Sequence, residues 1–167
     1  MAKTRNQVSI ALDEVHEHSL LIDEREIFLH GEKGSEDDPG VNYEMASTFL
    51  KNIRFLQTRN NKPIIVHQHS IGGYWDSGML IFDAIKTCEA PVIIICHGIA
   101  ASMGSIVPQA ADLRVMMPSC YFMIHQGYTG ISQEFTMTQR TSWYDWETKI
   151  NKDMIDSLVS EMRMLES

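Results

Sequence analysis

The chain has 167 residues, of which 44% are apolar and 22% are charged, an ordinary balance for one globular domain with a sizeable core. Its formal net charge is −8, which argues against a nucleic-acid-binding face, and no apolar run is long enough to cross a bilayer. Residues 1–12 lack the apolar stretch of a secretory signal, so we expect a cytoplasmic protein without a membrane span.

Most of the chain alternates between predicted strands and predicted helices. Residues 1–19 are polar and poorly patterned, which predicts an N-terminal arm or mobile loop. After the arm, short apolar runs indicate strands, and apolar residues at helical spacing indicate helices. The predicted elements are a strand at 25–30, a helix at 41–58, a strand at 64–67, a helix at 76–87, a strand at 92–96, a helix at 100–111, and strands at 113–117 and 121–126. This alternation indicates an α/β domain.

The C-terminal segment predicts one long amphipathic helix, which begins as early as Gln133. Its apolar residues repeat every three or four positions and are Trp143, Trp146, Ile150, Met154, Leu158, Met162 and Leu165. The helix either packs along its own domain or presents part of its apolar face to another subunit. We favour the second alternative because an exposed stripe with two tryptophans is costly. The expected division is an arm (1–19), a head (20–131) and a handle helix region (132–167) of the same single domain.

The stretch Gly98–Gly104 (GIAASMG) places a serine between a buried strand and the start of a helix. Amides of a first helical turn have no partner within the helix, and the helix dipole favours negative charge at that end. Small residues around Ser102 leave room for a substrate carbonyl. Ser102 is therefore a candidate nucleophile, although a helix N-cap is the commoner use of such a serine.

A serine nucleophile needs a base, and His125 stands at the end of a predicted apolar strand. Neutral imidazole can take a proton near pH 7, although a structural histidine at a sheet edge fits the same pattern. The pair Gly72-Gly73 follows another predicted strand. Paired glycines let backbone amides approach a ligand oxygen, which predicts an oxyanion hole, with a plain turn as the alternative.

These segments together resemble the ClpP family, the proteolytic subunits of ATP-dependent Clp proteases. Residues 98–105 (GIAASMGS) match the family's nucleophile segment, and residues 118–127 (PSCYFMIHQG) resemble the segment with its catalytic histidine. SIGG at 70–73 stands where the family has SPGG, and residues 23–32 (DEREIFLHGE) resemble its strand-opening segment. The likeness extends over about residues 20–165.

The resemblance implies the α/β superhelix of the ClpP and crotonase-like group, with an extended handle helix. It also implies heptameric rings stacked in pairs, an AAA+ unfoldase as partner, and unfolded polypeptides as substrates. No metal or organic cofactor is implied. The implied site residues are Ser102 as nucleophile, His125 as base, Gly73 and Met103 as oxyanion-hole amides, and Ser70, Ile71 and Gly72 as the substrate strand edge.

The chain departs from the family pattern in three places. The family's third triad member is an aspartate beyond the handle helix, and no aspartate of this chain matches it; Asp145, Asp153 and Asp156 are more simply solvated charges. Either the sequence is incomplete or another group orients His125, so the third member stays unknown. The Ser102-to-His125 interval is two residues shorter than expected, and Ile71 replaces the family's proline.

Two other functions stay open at this point. The first is a catalytically weak or inactive structural ring subunit, which the unmatched aspartate favours. The second is a crotonase-type acyl-CoA enzyme, which shares the fold and an oxyanion hole but needs no serine nucleophile. A metal site at His67 and His69 is not expected, since no third ligand is indicated nearby, and the three scattered cysteines fit neither a disulfide framework nor a metal site.

Overall fold

A computed structural model gives the fold and describes residues 5–30, 40–127 and 136–163, with side chains for 12–30, 40–127, 136–156 and 159. The chain divides into two compact units, Met1–Met123 and Ile124–Ser167. The predicted boundary between head and handle, at 131/132, lies outside the described residues. The division into arm, head and handle region stays a prediction.

The first unit contains all the described strands and five of the helical segments. Its elements are α1 (Arg5–His18), β1 (Leu20–Leu21), β2 (Glu26–Leu29), α2 (Tyr43–Arg59), β3 (Ile64–Ser70), α3 (Trp75–Lys86), β4 (Val92–Ala101), α4 (Met103–Ile106), a short 3₁₀ helix (Val107–Ala110), β5 (Leu113–Met116) and β6 (Tyr121–Met123). Residues 5–18 were expected to be an arm or loop; they form α1 instead.

The strands form one sheet in the order β1-β2-β3-β4-β5, with β6 also paired to β4. The β1–β2 pair is antiparallel and every other pair is parallel. The long strand β4 pairs with β5 in its first half and with β6 in its second half. The predicted α/β class is therefore confirmed.

Only one face of the sheet is fully buried. Along β4, Val92, Ile94 and Cys96 are buried, whereas Ile93 and Ile95 are only half-buried. The continuous apolar run at 92–96 fits this burial, because the residues on the second face are also partly covered. The core lies between the buried face and α2, α3 and α4, which contribute Phe49, Ile53, Leu56, Ile81, Ile85, Met103 and Ile106.

The predicted helix at 100–111 is divided by two local effects. Ala100 and Ala101 belong to β4, because their backbones pair with β3 and β6. Pro108 has no amide hydrogen and cannot continue an α-helix, so the four-residue α4 passes into the 3₁₀ helix. The strand predicted at 121–126 is also shorter and ends at Met123.

The second unit is dominated by α5 (Met137–Arg163), which has 27 residues and confirms the predicted long helix. The rings of Trp143 and Trp146 lie 4.8 Å apart, centroid to centroid. The predicted start at Gln133 and the side chains of Leu158, Met162 and Leu165 lie outside the described residues. Across the described ranges, we find no helix with the length and apolar character of a membrane span.

Candidate active site

Ser102 occupies the single residue between the end of β4 and the start of α4. Its backbone has φ 51° and ψ −123°, a conformation that costs an L-residue about 1–3 kcal/mol unless its surroundings enforce it. Its amide donates to the Met123 carbonyl at 2.9 Å, and its carbonyl accepts from the Ser105 hydroxyl at 2.6 Å. Strain of this kind at a strand-to-helix turn is typical of an exposed nucleophile.

The Ser102 hydroxyl does not serve as a helix cap. Within the described part of the chain, α4 receives no hydrogen bond from that side chain. The capping explanation for this serine is therefore wrong. The helix that follows Ser102 is much shorter than predicted, since α4 has only four residues and begins at Met103.

Gly72 lies directly against Ser102. A Cβ atom on Gly72 would lie 2.5 Å from the Ser102 Cβ and 2.9 Å from the Ala101 carbonyl oxygen. The φ of Gly72 is +106°, which also disfavours any side chain. The structure thus brings the Gly72-Gly73 turn, Ser102 and the start of α4 together, as the sequence predicted.

One side of the glycine turn is already paired. The Val41 amide donates to the Gly72 carbonyl at 2.6 Å, and the Tyr74 amide donates to the Val41 carbonyl at 2.8 Å. In a parallel bridge of this pattern, the amide and carbonyl of the middle residue, Gly73, point to the opposite side. The Gly73 amide therefore points away from Val41.

Ser70 and Ile71, predicted at the substrate edge, differ in their exposure. Ile71 is exposed, whereas Ser70 is buried and its hydroxyl accepts a hydrogen bond from the Gly72 amide at 3.2 Å. The side chain of Ser70 therefore supports the glycine turn. Its backbone role at the substrate edge stays a prediction.

Sequence reasoning missed Gln68, a buried polar side chain next to this site. Gln68 is 1% exposed, and its Nε2 donates to the Gly104 carbonyl at 2.6 Å. It shares the inward face of β3 with the buried apolar residues Ile64 and Val66. A glutamine at an inward position of an alternating strand is the signal that could have identified it.

His125 belongs to the second unit, so its position relative to Ser102 stays a prediction. It is exposed and follows the end of β6 by two residues. No third triad member is identified: Asp145, Asp153 and Asp156 are all exposed on α5, and Asp156 pairs with Lys152.

Histidines form a separate cluster on the half-buried face of the sheet. His67 Nδ1 lies 3.1 Å from His97 Nε2, and His67 Nε2 lies 3.5 Å from a Glu26 carboxylate oxygen. His69 Nδ1 lies 3.0 Å from the His97 carbonyl oxygen. Burial lowers the pKa of His97, and the neighbouring His67 and His69 lower it further. Among the described residues, no group of three or more His, Cys, Asp or Glu side chains is arranged to hold a metal ion.

A family model described as Clp protease matches residues 12–164, which include all the candidate site residues. The chain belongs to the Clp protease family. An ATP-dependent Clp protease proteolytic subunit from Carsonella ruddii is 34% identical over 111 residues, 65% of this chain and 53% of that protein. Proteolytic subunit 2 from Prochlorococcus marinus is 38% identical over 96 residues, 56% of this chain and 47% of that protein. The chain spans about half the length of the curated relatives it matches.

A solved structure supports the fold of this Clp protease family member. A ClpP1 mutant from Listeria monocytogenes superposes with a TM-score of 0.72 at 24% identity, over 84% of this chain and 73% of that chain. This likeness confirms the predicted ClpP-type fold.

Proposed function

We propose that the chain is a serine endopeptidase subunit with Ser102 as nucleophile and His125 as general base. The observation that carries the proposal is the strained Ser102 backbone, whose hydroxyl caps no helix and which a glycine turn approaches closely. Strain at one residue persists only when its surroundings impose it, and such residues cluster at functional sites.

The position of His125 along the chain supports its role as the base. The Met123 carbonyl accepts the Ser102 amide at 2.9 Å, so the end of β6 lies beside the nucleophile. His125 follows Met123 by two residues, which place its Cα within about 7 Å of the Met123 Cα. The contact between the His125 imidazole and the Ser102 hydroxyl is itself part of the proposal.

The proposed reaction has two stages. The Ser102 oxygen attacks the peptide carbonyl carbon while His125 takes the hydroxyl proton, and the amides of Gly73 and Met103 hold the oxyanion. His125 then gives that proton to the leaving amine as the C–N bond breaks. In the second stage His125 deprotonates a water molecule, whose oxygen attacks the acyl carbon. The bond between the acyl carbon and the Ser102 oxygen then breaks as His125 returns the proton to that oxygen.

We further propose that unfolded polypeptides bind as a strand beside Gly73, on the side that Val41 leaves open. Heptameric rings stacked in pairs, an AAA+ unfoldase partner and a cytoplasmic location belong to the same proposal. They rest on family membership and on the printed names of the relatives, which are proteolytic subunits of ATP-dependent Clp proteases.

A structural ring subunit with a weak or inactive site is the second candidate. It is favoured by the described aspartates of α5, which are exposed and match no triad position. In the serine-protease template, a base without its orienting carboxylate loses about 10⁴-fold in kcat. The two candidates therefore differ in turnover and share the fold.

A fluorophosphonate probe on the full-length assembled protein tests the proposal. We expect labelling of the wild type, loss of labelling in Ser102→Ala, and unchanged labelling in Ser142→Ala, which alters an exposed serine of α5. His125→Ala should slow labelling strongly, whereas His69→Ala should not. Absence of labelling in the assembled wild type would reject the peptidase and favour the structural subunit. Tight binding of CoA without labelling would favour an acyl-CoA enzyme.

A further inference from the structure

The carbonyl of Gly104 lacks its ordinary helical partner. In an α-helix this carbonyl accepts from the amide four residues later, and that residue is Pro108, which has no amide hydrogen. The neighbouring Val107 amide donates to the Met103 carbonyl instead. A buried carbonyl without a donor costs about 1–3 kcal/mol, so α4 needs a donor from elsewhere.

Gln68 supplies that donor from the adjacent strand. Its Nε2 lies 2.6 Å from the Gly104 oxygen, and the side chain is almost fully buried. Gly104 itself lies against β3, since a Cβ on Gly104 would be 2.8 Å from the Ser70 carbonyl oxygen. The contact therefore ties the first turn of α4 to β3.

A second polar side chain of β3 acts on the other half of the proposed oxyanion hole. The Ser70 hydroxyl accepts from the Gly72 amide, next to Gly73, while Gln68 holds Gly104, next to Met103. Gln68 and Ser70 are both buried and lie two residues apart on the same face of β3. One strand thus anchors both segments that carry the oxyanion amides.

We infer that Gln68 is a positioning residue for the oxyanion hole: its side-chain amide replaces the hydrogen-bond donor that Pro108 lacks and holds the turn that carries the Met103 amide. The catalytic consequence rests on the proposed function; the hydrogen-bond replacement does not. Gln68 does not touch the substrate, and it acts only through the orientation of α4.

The test separates positioning from packing. Gln68→Met keeps the length and buried volume of the side chain but removes the donor. We expect kcat for a peptide substrate and the affinity for a peptide boronate to fall together by about 10- to 100-fold. The boronate reports on the same site because its tetrahedral adduct places an oxygen in the oxyanion hole. The KM should stay within about twofold, because substrate contacts are unchanged.

Pro108→Ala provides the rescue. It restores a backbone amide that can donate to the Gly104 carbonyl, so Gln68→Met/Pro108→Ala should recover at least half of the lost activity on a logarithmic scale. A packing defect at residue 68 would not respond to an amide restored at residue 108. If Gln68→Met does not fold, recovery of folding in the double variant tests the replacement of the donor, and kcat and boronate affinity of the double variant test the positioning.

Two outcomes overturn different claims. If the wild type hydrolyses peptides and Gln68→Met keeps its boronate affinity and kcat within about twofold, the positioning role is wrong. If the wild type shows no peptidase activity, the proposed function fails. Hydrogen exchange of segment 102–106 then still tests the replacement of the donor: exchange should accelerate in Gln68→Met and slow again in the double variant, and unchanged exchange would overturn it.

Discussion

The contact between Gly72 and Ser102 can be tested by adding one methyl group to Gly72. In Gly72→Ala the new Cβ would lie 2.5 Å from the Ser102 Cβ and 2.9 Å from the Ala101 carbonyl oxygen. Both distances are shorter than any that real Cβ atoms tolerate, so Ser102 or the glycine turn must move. The backbone at residue 72, with φ +106°, opposes the substitution independently.

Two costs add in this variant. The strained φ costs an L-residue about 1–3 kcal/mol. Forcing an extra methyl group against Ser102 and the β4 backbone costs about another 1–3 kcal/mol. We therefore expect the free energy of unfolding to fall by about 2–6 kcal/mol, a large share of the roughly 5–15 kcal/mol available to a domain. Peptidase activity should fall by about 100-fold or more where Ser102 is displaced by about 1 Å.

Urea unfolding of four proteins, all at the same protein concentration, measures the coupling energy between residues 72 and 102. The set is the wild type, Gly72→Ala, Ser102→Gly and the double variant. Ser102→Gly removes the Cβ that the new methyl group meets, so the cost of Gly72→Ala should drop by about 1–3 kcal/mol in that background. The control is Gly127→Ala, whose Cβ would meet no described residue closer than 3.6 Å and should change stability by less than about 0.5 kcal/mol. A coupling energy below about 0.5 kcal/mol would show that the two residues do not touch, and the geometry of the site would then be wrong.

Three other predictions follow from strain, buried hydrogen bonds and pKa. Ser102→Gly should be more stable than Ser102→Ala by about 1–2 kcal/mol in urea unfolding, because only glycine relieves φ 51° and ψ −123°; equal stability would contradict the strain. Arg25→Met removes the donor to the Leu56 carbonyl at 2.8 Å and should lower the free energy of unfolding by about 2–4 kcal/mol, measured by thermal unfolding. Arg59→Met removes an exposed ion-pair partner and should lower it by less than about 1 kcal/mol. Similar losses in the two variants would show that the buried hydrogen bond does not stabilise the fold. The pKa of His97 is lowered in the folded chain, so the unfolded chain binds more protons as the pH falls below about 6.5, and stability declines there. His97→Gln should flatten the decline of the melting temperature between about pH 7 and pH 5, and a parallel pH profile would contradict the prediction.

The sequence was sufficient to predict the elements that periodicity encodes. Apolar spacing located α2, α3 and α5, and short apolar runs located β2 to β6. Prediction failed where tertiary pairing overrides local pattern. The small residues Ala100 and Ala101 predict a helix but extend β4, because their backbones pair with β3 and β6. The polar residues 5–18 lack a clear apolar stripe, which predicts an arm, yet they form a helix.

The candidate site was predictable where the residue type itself indicates the backbone conformation, as paired glycines do. Paired glycines and a serine among small residues predicted an oxyanion hole and a nucleophile, and the structure shows that Gly72 of the pair lies against Ser102. Gln68 was not found, because its role depends on a carbonyl that lies 36 residues away along the chain. The orientation of His125 was equally beyond reach, since no local pattern fixes how a residue after a strand end is turned.

The strain at Ser102 explains why so many buried polar contacts surround it. A residue held at φ 51° and ψ −123° would relax if either neighbouring segment were free to rotate. Here the segment before it is fixed by the β4 ladder, and its own amide is fixed by the Met123 carbonyl. Two hydrogen bonds fix the segment after it. The Ser105 hydroxyl donates to the Ser102 carbonyl, and the Gln68 side-chain amide donates to the Gly104 carbonyl. Because these contacts lie within the protein, the serine keeps its geometry before any substrate arrives. In the proposed reaction, binding energy is therefore not needed to form the turn at Ser102, and loss of either contact after Ser102 should lower kcat without changing KM.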